Sequence, residues 1–343
     1  MKALVLKEYK VLEYTNFDDP KVGHNEVLVR IKACGICGSD IHGYDGSTGR
    51  RIPPIIMGHE ASGEIVAVGS SVKKWKVGTR VTFDSTVYCN QCVYCLNGQV
   101  NLCNNRQVLG VSCDEYRRHG AMADLVAIPQ HILYALPDSV SYEQACMVEP
   151  LAIAFHAANL TPIRINDTAV VVGVGMIGLL VIQTLRLAGC GNIVAVDIDE
   201  NKLEMAKTIG ADYCISANSK SLVEKVKEIS WGDGAEIAID AVGVSSSLNT
   251  ATSVLKKGGH LTLIGNLAAR VDLPLQTVVT RQLRLQGSCA SNGEYKACLD
   301  MIARNSVNVD FLISHVAPLE TGEKWFAELY GGNSSLLKVI LTP

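Results

Sequence analysis

The chain has 343 residues, which is enough for two domains with a sizeable buried core. Its composition, 48% hydrophobic and 19% charged, is typical of a soluble globular protein, and its net charge of -3 predicts no nucleic-acid partner. Lysines interrupt the start, MKALVLKEYK, so we expect no secretory segment and a cytoplasmic protein. We also expect no membrane partner, because the uncharged stretch 168–185 contains glycines and a glutamine and fits a strand, a turn and a helix better than a spanning helix.

The first part of the chain, to about residue 150, consists of short β-branched runs separated by glycines. Alternation of apolar and polar residues in such runs indicates strands with one buried face. We expect strands at 26–33, 61–68, 78–83 and 123–128. This pattern predicts a β-rich N-terminal domain.

Two short motifs in this domain carry candidate metal ligands. Cys37 lies in the stretch CGICGSDIH at 34–42, and His59 is followed by Glu60 in a Gly-His-Glu motif. Taken singly, neither is informative, because a lone histidine is usually a satisfied core or surface residue and a lone cysteine is usually a buried apolar one. The spacing of these residues alone leaves a second metal site open.

Cys89, Cys92, Cys95 and Cys103 form the run C-x2-C-x2-C-x7-C, which places four thiols within fifteen residues. Four thiolates suit tetrahedral zinc, and two-residue gaps let successive cysteines turn back onto one ion. An iron-sulfur cluster fits less well, because the ferredoxin run has a shorter final gap and a proline where this chain has Asn104. A disulfide framework is not expected without a secretory segment. The run therefore predicts a structural zinc site.

The remaining cysteines fall in no ligand spacing. We interpret them as small, reduced and mostly buried apolar residues. They are Cys34, Cys113, Cys146, Cys190, Cys214, Cys289 and Cys298.

From about residue 167 the pattern changes to alternating strands and helices. Strands are expected at 169–172, 192–197, 236–241 and 260–264, with one helix ending at 188 and another at 200–209. Such alternation predicts a parallel sheet covered by helices. After about residue 288 the regular alternation ends, and we expect a helix at 295–303 and a terminal strand at 337–341. The fold class is therefore α/β, with a β-rich domain and a doubly wound parallel-sheet domain.

The segment 173–178 reads GVGMIG, the motif G-x-G-x-x-G, and it follows an apolar strand and opens an amphipathic helix. In a dinucleotide site Gly173 makes the tight turn, Gly175 lets the backbone approach a pyrophosphate, and Gly178 packs the helix on the strand. The helix N-terminus then receives the phosphates. Asp197 ends the next strand, where its carboxylate can bind both ribose hydroxyls and repel a 2′-phosphate, which favours NAD over NADP. A glycine-rich turn in an unrelated α/β protein is the alternative.

The Gly-His-Glu motif, the four-cysteine run and the fingerprint follow one another in this order, and together they resemble the zinc-dependent medium-chain dehydrogenase/reductase family over essentially the whole chain. The resemblance implies a GroES-like catalytic domain at 1–150 and 290–343, a Rossmann NAD-binding domain at 151–289, and an active site in the cleft between them. It also implies two zinc ions per chain, NAD as cofactor, and a homodimer or homotetramer. The cofactor contacts that it implies are Gly173, Gly175, Met176, Ile177, Gly178, Asp197, Lys202, Ile264 and Ser288.

Cys37 and His59 match two catalytic zinc ligands of this family. Many of its alcohol dehydrogenases supply a cysteine as the third ligand, whereas this chain reads MVEPLA at 147–152. That stretch is similar to the Glu-Pro motif of the polyol dehydrogenase branch, which includes sorbitol dehydrogenase and galactitol-1-phosphate 5-dehydrogenase. The resemblance assigns Glu149 as third ligand, directly or through water. Glu60 is adjacent to the metal in the family and replaces Glu149 in some states, so both carboxylates stay open as ligands.

The resemblance also implies a mechanism. An open zinc position supplies Lewis acidity to a substrate hydroxyl while the substrate carbon gives a hydride to the nicotinamide. Ser39 and His42 match the hydroxyl-to-imidazole relay that carries the proton to solvent in family members. A helix cap at Ser39 and an ordinary surface histidine at His42 are the alternatives.

The polyol branch implies that the substrate is a polyol or sugar-alcohol phosphate with a secondary hydroxyl. Sorbitol dehydrogenase carries an Arg-Tyr pair after the strand that in this chain reads LQGSCA at 285–290, and this chain lacks that pair. The start Gly287-Ser288 is more similar to galactitol-phosphate dehydrogenases. Arg117, Arg118 and His119 form a basic cluster that is suited to phosphate, with a solvated loop as the equal alternative.

Other functions explain parts of the pattern. The nearest is an NAD-dependent dehydrogenase of another small alcohol or of a hydroxy amino acid, of the threonine type. A zinc-ribbon binding module would use the four-cysteine run for contacts, but it needs a basic surface and leaves the fingerprint unexplained. A zinc-free quinone reductase of the same superfamily would share the fingerprint but lack Cys37, the Gly-His-Glu motif and the four-cysteine run.

Overall fold

The computed structural model of the chain describes residues 1–112, 117–332 and 336–343, which fold as two units. Unit 1 consists of Met1–Glu149 and Asn292–Pro343, and unit 2 consists of Pro150–Ser291. Cys113 lies outside the described residues, and the cysteines within them form no disulfide bonds. Of the helices in the described part, none has the length and apolar character needed to cross a membrane.

The described residues form nineteen strands and eleven α-helices. The strands are β1 (Lys2–Glu8), β2 (Val11–Asn16), β3 (Glu26–Gly35), β4 (Ile55–Ile56), β5 (Glu60–Val68), β6 (Arg80–Phe83), β7 (Thr86–Val87), β8 (Gln107–Leu109), β9 (Arg117–Arg118), β10 (Leu125–Pro129), β11 (Leu133–Ala135), β12 (Thr168–Val172), β13 (Asn192–Asp197), β14 (Tyr213–Ser216), β15 (Ala235–Asp240), β16 (Leu255–Leu263), β17 (Arg284–Gly287), β18 (Ile313–Pro318) and β19 (Lys338–Thr342). The helices are α1 (Gly38–Tyr44), α2 (Val93–Leu96), α3 (Tyr142–Cys146), α4 (Val148–Leu160), α5 (Met176–Leu187), α6 (Glu200–Ile209), α7 (Leu222–Ile229), α8 (Ser245–Val254), α9 (Leu275–Thr280), α10 (Tyr295–Ala303) and α11 (Gly322–Tyr330).

Unit 1 is organised around β3, whose alternate residues Val27, Val29 and Ile31 are buried, as the period of a strand requires. The main sheet has the order β11-β6-β5-β3-β19-β18, and β10 also pairs with β3. At the end of β3, Gly35 lies opposite Glu60 of β5 and opposite Ile340 of β19. Two smaller sheets have the orders β2-β1-β4 and β7-β8-β9. Segments that are distant in sequence therefore meet where β3 leads into α1.

Unit 2 contains a parallel sheet with the order β14-β13-β12-β15-β16-β17, which is the strand order of a Rossmann domain. Its first strand, β12, has the sequence TAVVV and is buried along its whole length, as expected for a central strand covered on both faces. The strand order reverses between β12 and β15. In such sheets ligands bind beyond the carboxyl ends of the strands at this reversal.

Most predicted elements match the observed ones. β13, α6 and α10 have the predicted boundaries, and the other predicted strands and the helix ending near 188 shift at their ends by up to two residues, apart from β16. That strand begins at Leu255, five residues before the predicted start, because Lys256, Lys257 and the following glycines hide it from an apolar pattern. The sequence pattern gave no prediction for β1, β2 or α11.

Candidate active site

Cys37 stands at the junction of β3 and α1 and is the N-cap of that helix. Its sulfur accepts hydrogen bonds from the backbone N–H of Ser39 at 3.4 Å and from the Ser39 hydroxyl at 3.3 Å. The Asp40 carboxylate in turn accepts the backbone N–H of Cys37 at 3.3 Å. The alternative that Ser39 caps the helix is therefore wrong, since the cap is Cys37. His42 is exposed, three residues after Ser39 on the same helix.

His59 is buried directly before β5. Its Nδ1 atom lies 3.6 Å from Oδ1 of Asp40, an ion-pair separation that exceeds a hydrogen bond, and this buried nitrogen has no hydrogen-bond partner among the described residues. Burial lowers the pKa of His59, but Asp40 and Cys37 outweigh it and raise the pKa well above its ordinary value. The surroundings therefore favour a positive charge at this place, which either a proton or a metal cation can supply.

Asp40 is fully buried and is paired with Arg51, whose Nη2 donates to Oδ1 at 2.9 Å. Burial alone would raise the pKa of Asp40, but His59 and Arg51 hold it well below its usual range. The same Nη2 atom donates to the Ser39 hydroxyl at 3.2 Å. Asp40 and Arg51 therefore form an ionised support behind Cys37 and His59, which the sequence pattern did not indicate.

Glu60, the first residue of β5, is buried in an ion pair with Lys338 of β19. The Lys338 ammonium also donates to the carbonyl of Ile36 at 3.1 Å. Burial lowers the pKa of Lys338, but Glu60 and Cys37 raise it above its ordinary value, so the side chain stays charged. The sequence pattern did not indicate that Lys338 is the counter-ion of Glu60.

The ligand atoms of Cys37, His59 and Glu60 all lie within 4.8 Å of one another. Glu149 does not join this set among the described residues; it lies in the first turn of α4, and its Oε1 accepts the hydroxyl of Ser85 at 3.1 Å. Burial raises the pKa of Glu149 to about 7, and Glu60 contributes to the rise. Thiolate, imidazole and carboxylate form a donor set that suits zinc. The structure thus brings Glu60 nearer to Cys37 and His59 than it brings Glu149.

The four cysteines of the C-x2-C-x2-C-x7-C run, which we call the four-cysteine lobe, also converge, with all four sulfurs within 4.8 Å of one another. The sulfurs of Cys92 and Cys95 are 3.5 Å apart and those of Cys89 and Cys95 are 4.0 Å apart, too far for a disulfide. The backbone N–H of Cys89 donates to the sulfur of Cys103 at 3.3 Å. This arrangement fits a closed tetrahedral zinc site.

The glycine fingerprint of unit 2 has the geometry of a dinucleotide loop. Gly173 has φ +84, and a Cβ there would meet the Val242 side chain at 2.2 Å. A Cβ on Gly178 would lie 2.0 Å from the Gly173 carbonyl oxygen, whereas one on Gly175 would meet nothing within 4 Å. Gly175 therefore leaves open space beside the backbone. It is also the N-cap of α5, and no side chain caps that helix, which begins at Met176 and Ile177.

The other predicted cofactor residues of unit 2 follow its strands. Asp197 ends β13, and its Oδ2 accepts the backbone N–H of Val174 at 2.7 Å. Ile264 follows β16 and Ser288 follows β17, so these residues share the carboxyl edge of the sheet, while Lys202 lies on α6. The Ser288 hydroxyl is buried without a hydrogen-bond partner among the described residues. A buried unpaired hydroxyl at this edge is consistent with a ligand that satisfies it.

The predicted basic cluster has largely structural contacts. Arg118 donates to Glu26 at 2.6 Å, and His119 accepts the backbone N–H of Ile56 at 3.2 Å. Burial, together with Arg117, lowers the pKa of His119, so the ring is neutral. Arg117 is the charged member of the cluster whose side chain is exposed. The cluster is therefore not a set of three free charges.

Asp84 is a buried acid that the sequence pattern did not indicate. Its Oδ1 accepts the backbone N–H of Thr86 at 2.8 Å, while its Oδ2 has no partner among the described residues. Burial raises the pKa of Asp84 to about 8, and Glu149 and Glu294 act in the same direction. The side chain is therefore mostly protonated near neutral pH.

Two family models match the chain: the alcohol dehydrogenase GroES-like domain at residues 23–138 and the zinc-binding dehydrogenase at 176–304. Sorbitol dehydrogenase from Bacillus subtilis (strain 168) is 31% identical and D-arabitol-phosphate dehydrogenase from Enterococcus avium is 32% identical; the alignments cover 100% and 97% of this chain and 97% and 94% of the relatives. Galactitol-1-phosphate dehydrogenase from Escherichia coli superposes with TM-score 0.91 at 26% identity, over 100% of both chains. A zinc-binding dehydrogenase structure from Sinorhizobium meliloti 1021, bound to NADP, has TM-score 0.91 at 28% identity, over 100% of this chain and 99% of that one.

The chain belongs to the zinc-dependent medium-chain dehydrogenase/reductase family, in its polyol dehydrogenase branch, and is an oxidoreductase. The predicted family is confirmed, and so is the predicted fold class of a GroES-like domain with a Rossmann domain. A zinc-ribbon binding module is excluded, because the relatives match along essentially the whole chain.

We predict that Asp84→Asn makes the protein less sensitive to rising pH. The pKa of Asp84 is 3.8 in the unfolded chain and about 8 in the folded chain, so the folded chain binds more protons through this window and loses stability as pH rises. The amide side chain of the variant does not titrate in this range, so the variant does not lose stability in this way. We expect the variant to gain roughly 3 to 4 kcal/mol in free energy of unfolding, relative to wild type, between pH 5 and pH 8. Urea unfolding at both pH values measures the gain.

Asp233→Asn is the control for this experiment, because Asp233 is exposed and its substitution leaves the buried acid in place. Parallel pH dependence in wild type and Asp84→Asn would show that the buried acid does not titrate as described.

Proposed function

We propose that this enzyme oxidises a secondary hydroxyl of a polyol or sugar-alcohol phosphate and transfers the hydride to NAD. The convergence of Cys37, His59 and Glu60 within 4.8 Å carries the proposal. The sorbitol and D-arabitol-phosphate dehydrogenases among its relatives support the substrate class. A carboxylate in place of a second thiolate gives a harder ligand sphere, which suits a zinc ion that must accept oxygen ligands from a vicinal diol.

In this proposal Cys37 and His59 hold the catalytic zinc, with Glu149 as third ligand, directly or through water, and Glu60 as its alternate. When bound, zinc with an open position supplies the Lewis acidity that lowers the pKa of a substrate hydroxyl. Asp40, 3.6 Å from the His59 ring, orients the imidazole.

The hydroxyl proton leaves through Ser39 and His42. Ser39 is exposed beside the Cys37 sulfur, at 3.3 Å, and His42 is exposed on the same helix. Each oxidation releases one hydride from carbon to NAD and one proton from oxygen to solvent. An imidazole suits the last step, because histidine commonly accepts and releases protons in such relays.

We propose NAD as the cofactor, held by the loop from Gly173 to Gly178 and by Asp197, with Lys202, Ile264 and Ser288 as further contacts. The Asp197 carboxylate supports this choice, because it would repel the 2′-phosphate of NADP. The S. meliloti relative bound NADP, so the choice between the cofactors depends on this chain's own residues.

The four-cysteine lobe is proposed to hold a second, structural zinc. Four sulfurs close the coordination sphere and leave no position for substrate. Two zinc ions per chain and a homodimer or homotetramer complete the proposal.

Whether the substrate is phosphorylated is the finer part of the proposal. The D-arabitol-phosphate and galactitol-1-phosphate dehydrogenases favour a phosphate, whereas the structural contacts of Arg118 and His119 leave Arg117 as the exposed charge of the basic cluster. A panel of sorbitol, arabitol and galactitol, each with its phosphate ester, followed by NADH absorbance, tests both the reaction and this choice. Activity confined to simple primary alcohols would contradict the proposal.

We predict that His59→Ala abolishes oxidation of the best substrate in that panel while NAD binding stays near the wild-type level. Loss of the Lewis acid removes several kcal/mol of transition-state stabilisation, so kcat/KM should fall by about three orders of magnitude or more. The dinucleotide is held by unit 2 and should bind normally in calorimetry. Zinc content should fall from two ions per chain to one. Undiminished turnover in a variant that has lost this zinc would refute the assignment.

We predict that NAD is preferred over NADP in kcat/KM and that Asp197→Ser weakens this preference by about tenfold or more, or roughly 1.4 kcal/mol. Asp197→Asn is the matched variant, because it keeps one oxygen to accept the Val174 N–H while it removes the charge and the second oxygen, which accepts the Asp199 N–H at 3.0 Å. Both variants should shift the NADP:NAD ratio in the same direction. Equal use of both cofactors by the wild-type enzyme, or an unchanged ratio in both variants, would rule out Asp197 as the discriminating residue.

We predict that Cys92→Ser damages folding before it damages chemistry. The variant should lose the zinc of the four-cysteine lobe, give less soluble protein and unfold at a lower temperature. Cys214→Ser is the control, since Cys214 is similarly half-buried and belongs to neither ligand set. A soluble Cys92→Ser enzyme with unchanged melting temperature that had lost only its turnover would show that this zinc is catalytic.

A further inference from the structure

Glu60 and Glu149, the two carboxylates proposed as zinc ligands, are held by different kinds of donor. Glu60 is paired with the Lys338 ammonium, whereas Glu149 accepts a neutral hydroxyl, that of Ser85, at 3.1 Å. This bond reaches Oε1 and is the one hydrogen bond of the Glu149 side chain with the described residues. Both Ser85 and Glu149 are buried, at 6% and 8% exposure, so water does not readily replace the bond.

Ser85 is itself fixed on both sides of its backbone. It lies between β6 and β7, where its carbonyl accepts the backbone N–H of Leu109 at 3.0 Å. Its own N–H donates to the phenol oxygen of Tyr295 at 3.4 Å, and Tyr295 is fully buried and stacked on Tyr134 with ring centroids 5.0 Å apart. The hydroxyl of Ser85 therefore projects from a rigid support.

The pairing of charges around the proposed metal site shows why the Ser85–Glu149 hydrogen bond matters for metal binding. Glu60 is neutralised by Lys338, and Asp40 is neutralised by Arg51. Glu149 is the buried carboxylate of this group with no cation paired to it among the described residues, so it is the one whose charge is left to a metal. A flexible glutamate is a better ligand when its rotamer is fixed, and the Ser85 hydroxyl is the hydrogen-bond donor that the Glu149 side chain has among the described residues.

We propose that Ser85 is a positioning residue for the open metal site: its hydroxyl holds Glu149 through Oε1 and presents Oε2 to the metal, directly or through water. This inference rests on the proposed role of Glu149 as a ligand. Partners of this kind usually change metal affinity or activity by about 10-fold to 100-fold when they are removed.

The test uses the full-length enzyme loaded with zinc, and the same enzyme with cobalt(II) at the open site. Ser85→Ala removes the hydroxyl, Ser85→Thr keeps it, and Ser230→Ala removes an equally buried hydroxyl, at 6% exposure, from unit 2. Metal release is followed against a chelator series, the cobalt centre by its visible absorption, and the reaction by kcat and KM. The zinc of the four-cysteine lobe serves as an internal control for folding.

We expect Ser85→Ala to release the open-site metal about tenfold more readily, to shift the cobalt bands, and to lower kcat more than it raises KM. Ser85→Thr and Ser230→Ala should resemble wild type. Unchanged metal release and cobalt bands in Ser85→Ala, equal loss of both metals, or the same change in Ser85→Thr as in Ser85→Ala would each overturn the inference.

Glu149→Ala separates this inference from the function on which it rests. If Glu149→Ala alters the cobalt bands and Ser85→Ala does not, Glu149 is a ligand but Ser85 does not position it. If neither variant alters them, Glu149 is not a ligand and both assignments fail.

Discussion

Unit 1 depends on the matching of buried charges at the end of β3. Asp40, Glu60, Arg51 and Lys338 are all nearly or fully buried, and each acid is within ion-pair distance of a base. An unpaired buried charge costs several kcal/mol, and removing one member of such a pair typically costs about 3–5 kcal/mol. These residues come from α1, from the segment before β4, from β5 and from β19. The charge pairing therefore requires all of these elements to be in place together.

Because these ion pairs are neutral, the net charge of the proposed metal site is determined by the remaining ligands. Within the proposed ligand set the two ion pairs cancel, and Cys37 as a thiolate and Glu149 as a carboxylate remain. Two negative ligands with a neutral imidazole match a dication, so zinc completes the balance without a further counter-ion. The pKa of His59 responds to some of the same negative charges, because Asp40 and then Cys37 raise it against the effect of burial.

The sequence predicts those parts of the site whose members are close together along the chain. The sulfurs of the four-cysteine lobe, the loop from Gly173 to Gly178 and the strand ending at Asp197 fall within short segments whose spacing is itself the signal. The sheet of unit 2, with its parallel strands, likewise follows from the alternation of strands and helices along the chain.

The partners of these residues could not be predicted in the same way. Lys338 is 278 residues from Glu60, and Ser85 is 64 residues from Glu149, so only the folded sheet brings each pair together. Arg118 looks like a free phosphate ligand in sequence, yet Glu26, 92 residues away, neutralises it. The raised pKa of Asp84 likewise depends in part on a residue far along the chain, since the charge of Glu294 contributes to it.

The separation of Glu60 from its counter-ion also has a consequence for biosynthesis. The four cysteines lie within fifteen residues and can capture a metal ion as soon as that stretch leaves the ribosome. Lys338, in contrast, is synthesised 278 residues after Glu60. At ordinary rates of translation this delays the Glu60–Lys338 ion pair by roughly 15 to 55 s. In the proposed scheme of two zinc ions, the lobe can therefore be filled early, whereas the ion pair of Glu60 beside Cys37 forms only after β19 has joined the sheet.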